Sequence, residues 1–234
     1  MTKESTMKKK LVLIALFVLP IVAYLFFSSG IYNFAKLPIV TEKVADVTTV
    51  TTREIKTDGY SSNTPLTLKD HVSIVGYLGD NLTSNRGYTA NLNLMIYKYF
   101  VKYEDFQMIL FVSPGSEQVI ADLKIELGRI FDVSKIRFVQ ATKEQATKHF
   151  ESLGTTLSLG PNGSHPNVFV IDRALALRSG HDDKKPNGFG YDMTQAVEMG
   201  YIKDDIKILL AEYRLALKKN NNASDKIEQR REKK

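Results

Sequence analysis

Seventeen consecutive residues, Leu11 to Phe27, carry no charge, and the uncharged stretch continues through Ser28-Ser29-Gly30 to Ala35. At about 1.5 Å per residue, a helix of roughly 20–25 such residues crosses a hydrocarbon core of about 30 Å. Pro20 falls inside the run, which lipid-embedded helices tolerate because the freed carbonyl is re-satisfied locally. Lys8, Lys9 and Lys10 precede the run, whereas only Lys36 and Lys43 follow closely. The positive-inside bias therefore puts residues 1–10 in the cytoplasm as a basic N-terminus, residues 11–31 in the bilayer, and the rest of the chain outside. That reading places a single-pass protein in the inner (cytoplasmic) membrane, its domain facing the periplasm or exterior. A cleaved signal peptide, with Ser28-Ser29-Gly30 at the cleavage position, is the alternative; both export the remainder.

Charge and cysteine content narrow the function classes. The net charge of +6 sits at the two ends: Met1–Lys10 and Lys218–Lys234 are basic, and the body between them is close to neutral. A nucleic-acid surface concentrates its basic residues on the folded body, so nucleic acid is excluded as a partner class. The chain has no cysteine. That removes disulfide exchange, thiol peroxidation and thiolate metal binding together, since each needs sulfur as nucleophile or ligand. An exported chain without disulfides relies on its apolar core.

After a linker at 32–44, the pattern alternates between strand and helix. Val44–Lys56, rich in Val and Thr, reads as an extended lead-in strand. Pro65–Asp70 is a second extended piece ending in a turn. Val72–Gly79, Phe106–Val112 and Val168–Asp172 are near-continuous apolar runs, as central strands covered on both faces should be. Between the first two, Leu92, Met95, Ile96, Tyr99 and Phe100 recur at helical spacing. Ser113-Pro114 is expected to open a helix whose inner face is Val119, Ile120, Leu123, Leu127 and Ile130. Ile136–Val139 is a short strand, and Thr142 to Gln145 matches a capping box ahead of Ala146 and Phe150. Leu175–Arg178 follows a turn and suggests an antiparallel neighbour. Ile202, Ile206, Leu209, Leu210, Tyr213 and Leu217 line a closing helix, and 220–234 is polar and expected to be disordered. This order specifies an α/β domain over 45–219 with helices on both sheet faces.

The same order resembles thioredoxin-like domains, and in particular the SCO/SenC family of copper chaperones serving cytochrome oxidase. The resemblance runs from about residue 45 to 217. It is carried by Asn63–Asp70 leading into Gly76-Tyr77-Leu78-Gly79, by Phe111-Val112-Ser113-Pro114, by Ile136–Gln145, and by Val168-Phe169-Val170-Ile171-Asp172. The family holds copper through a C-x-x-x-C motif after the first strand and a distant histidine. Here the cysteine positions fall on Thr83 and Gly87, and His165 lies one position from the expected histidine. Pro166 stands where many thioredoxin-like domains place a cis-proline facing the active loop.

The resemblance therefore implies a thioredoxin-like domain that has lost its thiol chemistry, is not an enzyme and needs no cofactor. The loop Asp80, Asn81, Thr83, Asn85, Arg86 and Gly87, with His165 and Pro166 opposite, becomes the candidate partner-binding edge. The implied role is accessory, binding a membrane complex such as a respiratory oxidase during its assembly. Two alternatives belong to other classes: metal handling through a non-thiol site at His165 or at His181-Asp182-Asp183 with Asp192, and a rigid envelope scaffold. Lys184-Lys185 beside the second cluster oppose a cation, and its spacing matches no metal loop. His71 and His149 read as structural.

Overall fold

The computed structural model describes the backbone of residues 3–32, 36–50, 52–80, 82, 92–180 and 189–231. It divides into two units, Met1–Lys36 and Leu37–Lys234. The first is the helix α1 (Lys3–Tyr32), with Pro20 inside it and apolar side chains such as Leu16, Phe17 and Leu19 exposed. Among the described residues no helix is long and apolar enough to cross a membrane.

In the second unit the apolar runs become the middle of one sheet. Its strands are β1 (Ile39–Thr41), β2 (Arg53–Ile55), β3 (Val72–Gly79), β4 (Phe106–Val112), β5 (Ile136–Gln140), β6 (Ser164–Ile171), β7 (Leu177–Arg178) and β8 (Tyr191–Asp192). The order is β1-β7-β6-β3-β4-β5-β2, with β8 also on β6. β4 runs parallel to both β3 and β5, while β6 is antiparallel to β3 and β7 to β6. The succession β4-β3-β6-β7 is that of a thioredoxin-like sheet, and β5 extends it.

Alternate residues serve the two faces, as the period of a strand requires. Ile74, Leu78, Met108, Leu110, Phe138, Val168 and Val170 form one core, covered by the helical segment 92–100, by α3 (Glu117–Gly128) and by α5 (Ala196–Arg231). In that segment a π turn, Asn93–Tyr97, leads into α2 (Lys98–Phe100). Val75, Tyr77, Ile109, Phe111, Val139, Phe169 and Ile171 form the second core, under the 3-10 turn Val47–Val50 and α4 (Lys143–Glu151). Ile74, Leu110 and Phe169 are fully buried, as central strand positions should be.

Several expectations are corrected by the structure. Val44–Lys56 is not one strand, because Asp46 turns the chain. Its carboxylate accepts from the Thr48 N–H and Oγ1, the Thr67 hydroxyl and the Leu68 and Lys69 N–H groups. The local bonds to Thr48 and the distant ones to Thr67, Leu68 and Lys69 together outcompete the β propensity of the Val/Thr run. The linker contributes β1, whose Ile39 and Thr41 pair with Arg178 and Leu177. Ser113-Pro114 forms a turn through Gly115 at φ +88°, and the helix begins only at Glu117. In the segment 92–100 the π turn buries Tyr97 and turns Tyr99 outward, because a π turn takes more residues than an α turn. Ile130 is exposed. The backbone of α5 is helical from Ala196 to Arg231, and Lys, Glu, Gln and Arg in its last turns are good helix formers. The side chain of Leu217 lies outside those described.

Other readings hold. Thr142 and Gln145 make the reciprocal capping box, and Leu177–Arg178 is the antiparallel neighbour of β6.

Candidate functional site

The C-terminal end of β3 is held by Gly79. Its φ of +61° favours glycine, and a Cβ there would stand 2.1 Å from the Asn162 carbonyl oxygen. That close approach lets three segments meet. The Asp80 N–H donates to the Asn162 oxygen at 3.2 Å, and the Ser113 N–H donates to the Gly79 oxygen at 3.0 Å. Asn162 is itself fixed, its Oδ1 accepting from the Ser164 N–H and hydroxyl. The recess beside this junction, lined by Gly79, Phe111, Ser113, Ala141, Lys143 and Gly163, has a volume of about 10 Å³. That is room for a single water at most. Asp80 is exposed at its rim.

His165 and Pro166 lie on the neighbouring strand. Gly76 pairs with Val168 and Tyr77 with His165, so Pro166 and Asn167 are extra residues bulging from β6. A residue without an N–H suits such a bulge. No peptide bond among the described residues is cis, so Pro166 is trans, the ordinary one of the two forms open to it. Its carbonyl accepts from the Met193 N–H at 2.9 Å. His165 is half-buried against Phe150 and Phe169, at ring separations of 5.4 and 6.3 Å. Burial lowers its pKa against the opposing charge of Asp192. Its Nδ1 accepts from the Asn167 N–H at 3.0 Å, so that nitrogen is already committed within the bulge.

Leu78 pairs with Ser164, so the structure brings Asp80, His165 and Pro166 to the same end of the sheet. Asn81, Thr83, Asn85, Arg86 and Gly87 lie outside the described residues, as do His181, Asp182 and Asp183. Asp192 serves the start of α5, accepting from the Thr194 N–H and the Gln195 side chain. Among the described residues no group of three or more His, Asp and Glu could hold a metal ion.

Sequence reading missed a buried pair beneath this end of the sheet. The Tyr77 hydroxyl lies 2.5 Å from His149 Nδ1, and both rings are shut inside the second core with Phe111 and Phe150. His149 Nε2 has no hydrogen-bond partner among the described residues. Burial lowers the pKa of His149 to about 4, against weaker opposition from Asp46 and the Ala45 backbone. Burial also pushes the Tyr77 phenol well up. The available signal was spacing: Ala146, His149 and Phe150 are the inward positions of α4.

Two buried cations were also missed. Arg137 makes a two-pronged ion pair with Glu54 at 2.9 and 2.7 Å and donates to the Thr64 and Pro65 carbonyls. Lys124 reaches the Tyr60 carbonyl and Ser61 hydroxyl, and burial lowers its pKa to about 8. Both brace the lead-in segment against the sheet.

No family model matches the sequence, and a search of curated proteins finds no match. Solved structures similar in fold include a thiol:disulfide interchange protein of the thioredoxin family from Chlorobium tepidum, 16% identical, covering 75% of this chain and 99% of that one at a TM-score of 0.43. BsSco, a member of the Sco family of cytochrome c oxidase assembly proteins, is 14% identical over 74% of this chain and 95% of its own, at 0.45. Yeast Sco1 with copper bound is 14% identical over 60% and 78%, at 0.36.

Proposed function

We propose that this chain is a membrane-tethered, non-catalytic thioredoxin-like protein that binds a partner protein in the membrane and assists its assembly. A respiratory oxidase is the first partner to test, on the motif resemblance set out above. The observation that carries the reading is the end of β3. The backbone there is braced by Gly79 and Asn162 around a recess of about 10 Å³, in a chain without a thiol. A rigid strand end with Asp80 exposed beside a recess of that size is suited to contact. The tether is α1: Leu11–Phe27 is uncharged, and its apolar side chains, exposed from Val12 to Phe26, would be at home in lipid. The described side chains cover part of that run.

Affinity purification of the full chain from detergent-solubilised membranes tests the reading. A membrane complex should co-purify with the wild type and be depleted when Asp80, Asn85 and Arg86 are replaced together, with the circular dichroism spectrum unchanged. An unaltered partner set would overturn the edge assignment. Stoichiometric Cu(I) binding lost in His165→Ala would replace the reading with metal handling.

A further inference from the structure

We infer that the face of the folded unit built by α5 and the segment 98–105 rests on an anionic lipid surface. The inference rests on the tether proposed above. Within the folded unit its first residue is tied to α5 through one side chain: the Leu37 carbonyl accepts from Arg178 Nε at 3.0 Å, and the same guanidinium binds Glu212 of α5 at 2.8 Å.

The surface offered there has the chemistry of a bilayer interface. Tyr99 and Tyr103 are each about half exposed, although both are large rings that a monomer ordinarily covers. The Lys203 ammonium lies 3.5 Å from the centroid of the Tyr99 ring, and Lys98 lies 5.1 Å from it. Such amphipathic rings with long basic side chains around them anchor proteins at the headgroup level. Beside them runs an open groove of about 410 Å³, lined by Lys102, Tyr103, Lys207, Tyr213 and Arg214 among others.

Carboxylates also stand on this face, and most are already engaged. Asp105 is bound by Arg173 at 3.0 Å, and Asp204 by Lys207 at 2.7 Å. Glu104 remains at the groove wall. Lys98, Lys102, Lys203 and Arg214 have no carboxylate partner among the described residues, which leaves a surplus of positive charge for lipid phosphates. Each basic side chain close to an anionic leaflet adds roughly five-fold to membrane partitioning.

The chain has no tryptophan, so one introduced indole is a clean reporter. Tyr99→Trp, Tyr103→Trp and, on α4 across the sheet, Lys148→Trp would be made in the full chain and reconstituted into nanodiscs. The discs would contain either phosphatidylglycerol or only phosphatidylcholine, with headgroup-spin-labelled lipid as quencher. Indoles at 99 and 103 should be quenched at least two-fold more than the one at 148 in anionic discs. The excess should vanish in phosphatidylcholine, in 0.5 M salt and in the Lys102→Glu/Arg214→Glu background. Equal quenching at all three positions, in a chain that resists carbonate extraction, would overturn the lipid-facing surface and leave the tether standing. Release by carbonate would overturn the tether and the inference that rests on it.

Discussion

His149 should make the stability of the folded unit depend on pH in a way that one substitution removes. The imidazole is shut in the second core, its Nδ1 against Tyr77 and its Nε2 without a partner among the described residues, and burial lowers its pKa from 6.5 to about 4. The unfolded chain therefore binds a proton near pH 6.5 that the folded chain refuses until about pH 4. The contribution is present in full above the unfolded value, declines as the pH falls below 6.5, and is lost below 4. A shift of this size corresponds to about 3 kcal/mol across the window, of which about 2 kcal/mol is gone by pH 5. His149→Asn keeps an acceptor near the Tyr77 hydroxyl and cannot titrate. It should lower stability at pH 7.5 by about 1–3 kcal/mol through lost packing, while the gap to wild type narrows steadily towards pH 4.5. Urea unfolding of the full chain in non-ionic detergent, followed by near-ultraviolet circular dichroism at half-unit pH steps, measures both. Asp46 is the carboxylate whose charge acts on the imidazole, so the difference curve reports these two groups together. Parallel curves from pH 7 to 4.5 would refute the reasoning.

Other positions give sharper, single-condition tests. Gly79→Ala should cost on the order of 2–4 kcal/mol, from its positive φ and the collision with the Asn162 carbonyl, read as a drop in urea midpoint at unchanged slope. Glu54→Ala should destabilise by about 3–5 kcal/mol because it leaves Arg137 buried and uncompensated; an effect below about 1 kcal/mol would show that water reaches the guanidinium. Lys124, with its pKa lowered to about 8, contributes stability above pH 10.5 that is lost as the pH falls towards 8. Lys124→Met should therefore be neutral or stabilising at pH 7 and clearly destabilising at pH 10, as thermal melts at the two values would show.

The central sheet was legible because its strands are covered on both faces. Val72–Gly79, Phe106–Val112 and Val168–Ile171 are then written almost wholly in apolar residues. The outlying short strands were not legible, β7 excepted. β1, β2 and β8 are two or three residues long, and partners distant in sequence decide their existence. Arg178 illustrates this, pairing with Ile39 across most of the chain. The candidate edge was read from its place after the first central strand, whereas the bracing of that strand's end could not be read at all. Nothing in Asn162 announces that its carbonyl meets Gly79, and nothing in His149 announces Tyr77. Both are contacts between segments far apart in sequence, invisible to any local period.

The π turn at Asn93–Tyr97 has a genetic consequence. Such a turn is what a helix makes of one residue too many, kept without shifting the helix ends. Deleting one residue from 93–96 would let the helix close at the α period while the residues on either side kept their faces. Tyr99 would stay outward, and the Tyr97 phenol would still receive the Lys135 N–H. A frame-preserving loss of one codon there would thus be absorbed within the turn, whereas the same loss from a regular α-helical stretch would turn everything after it by about 100°.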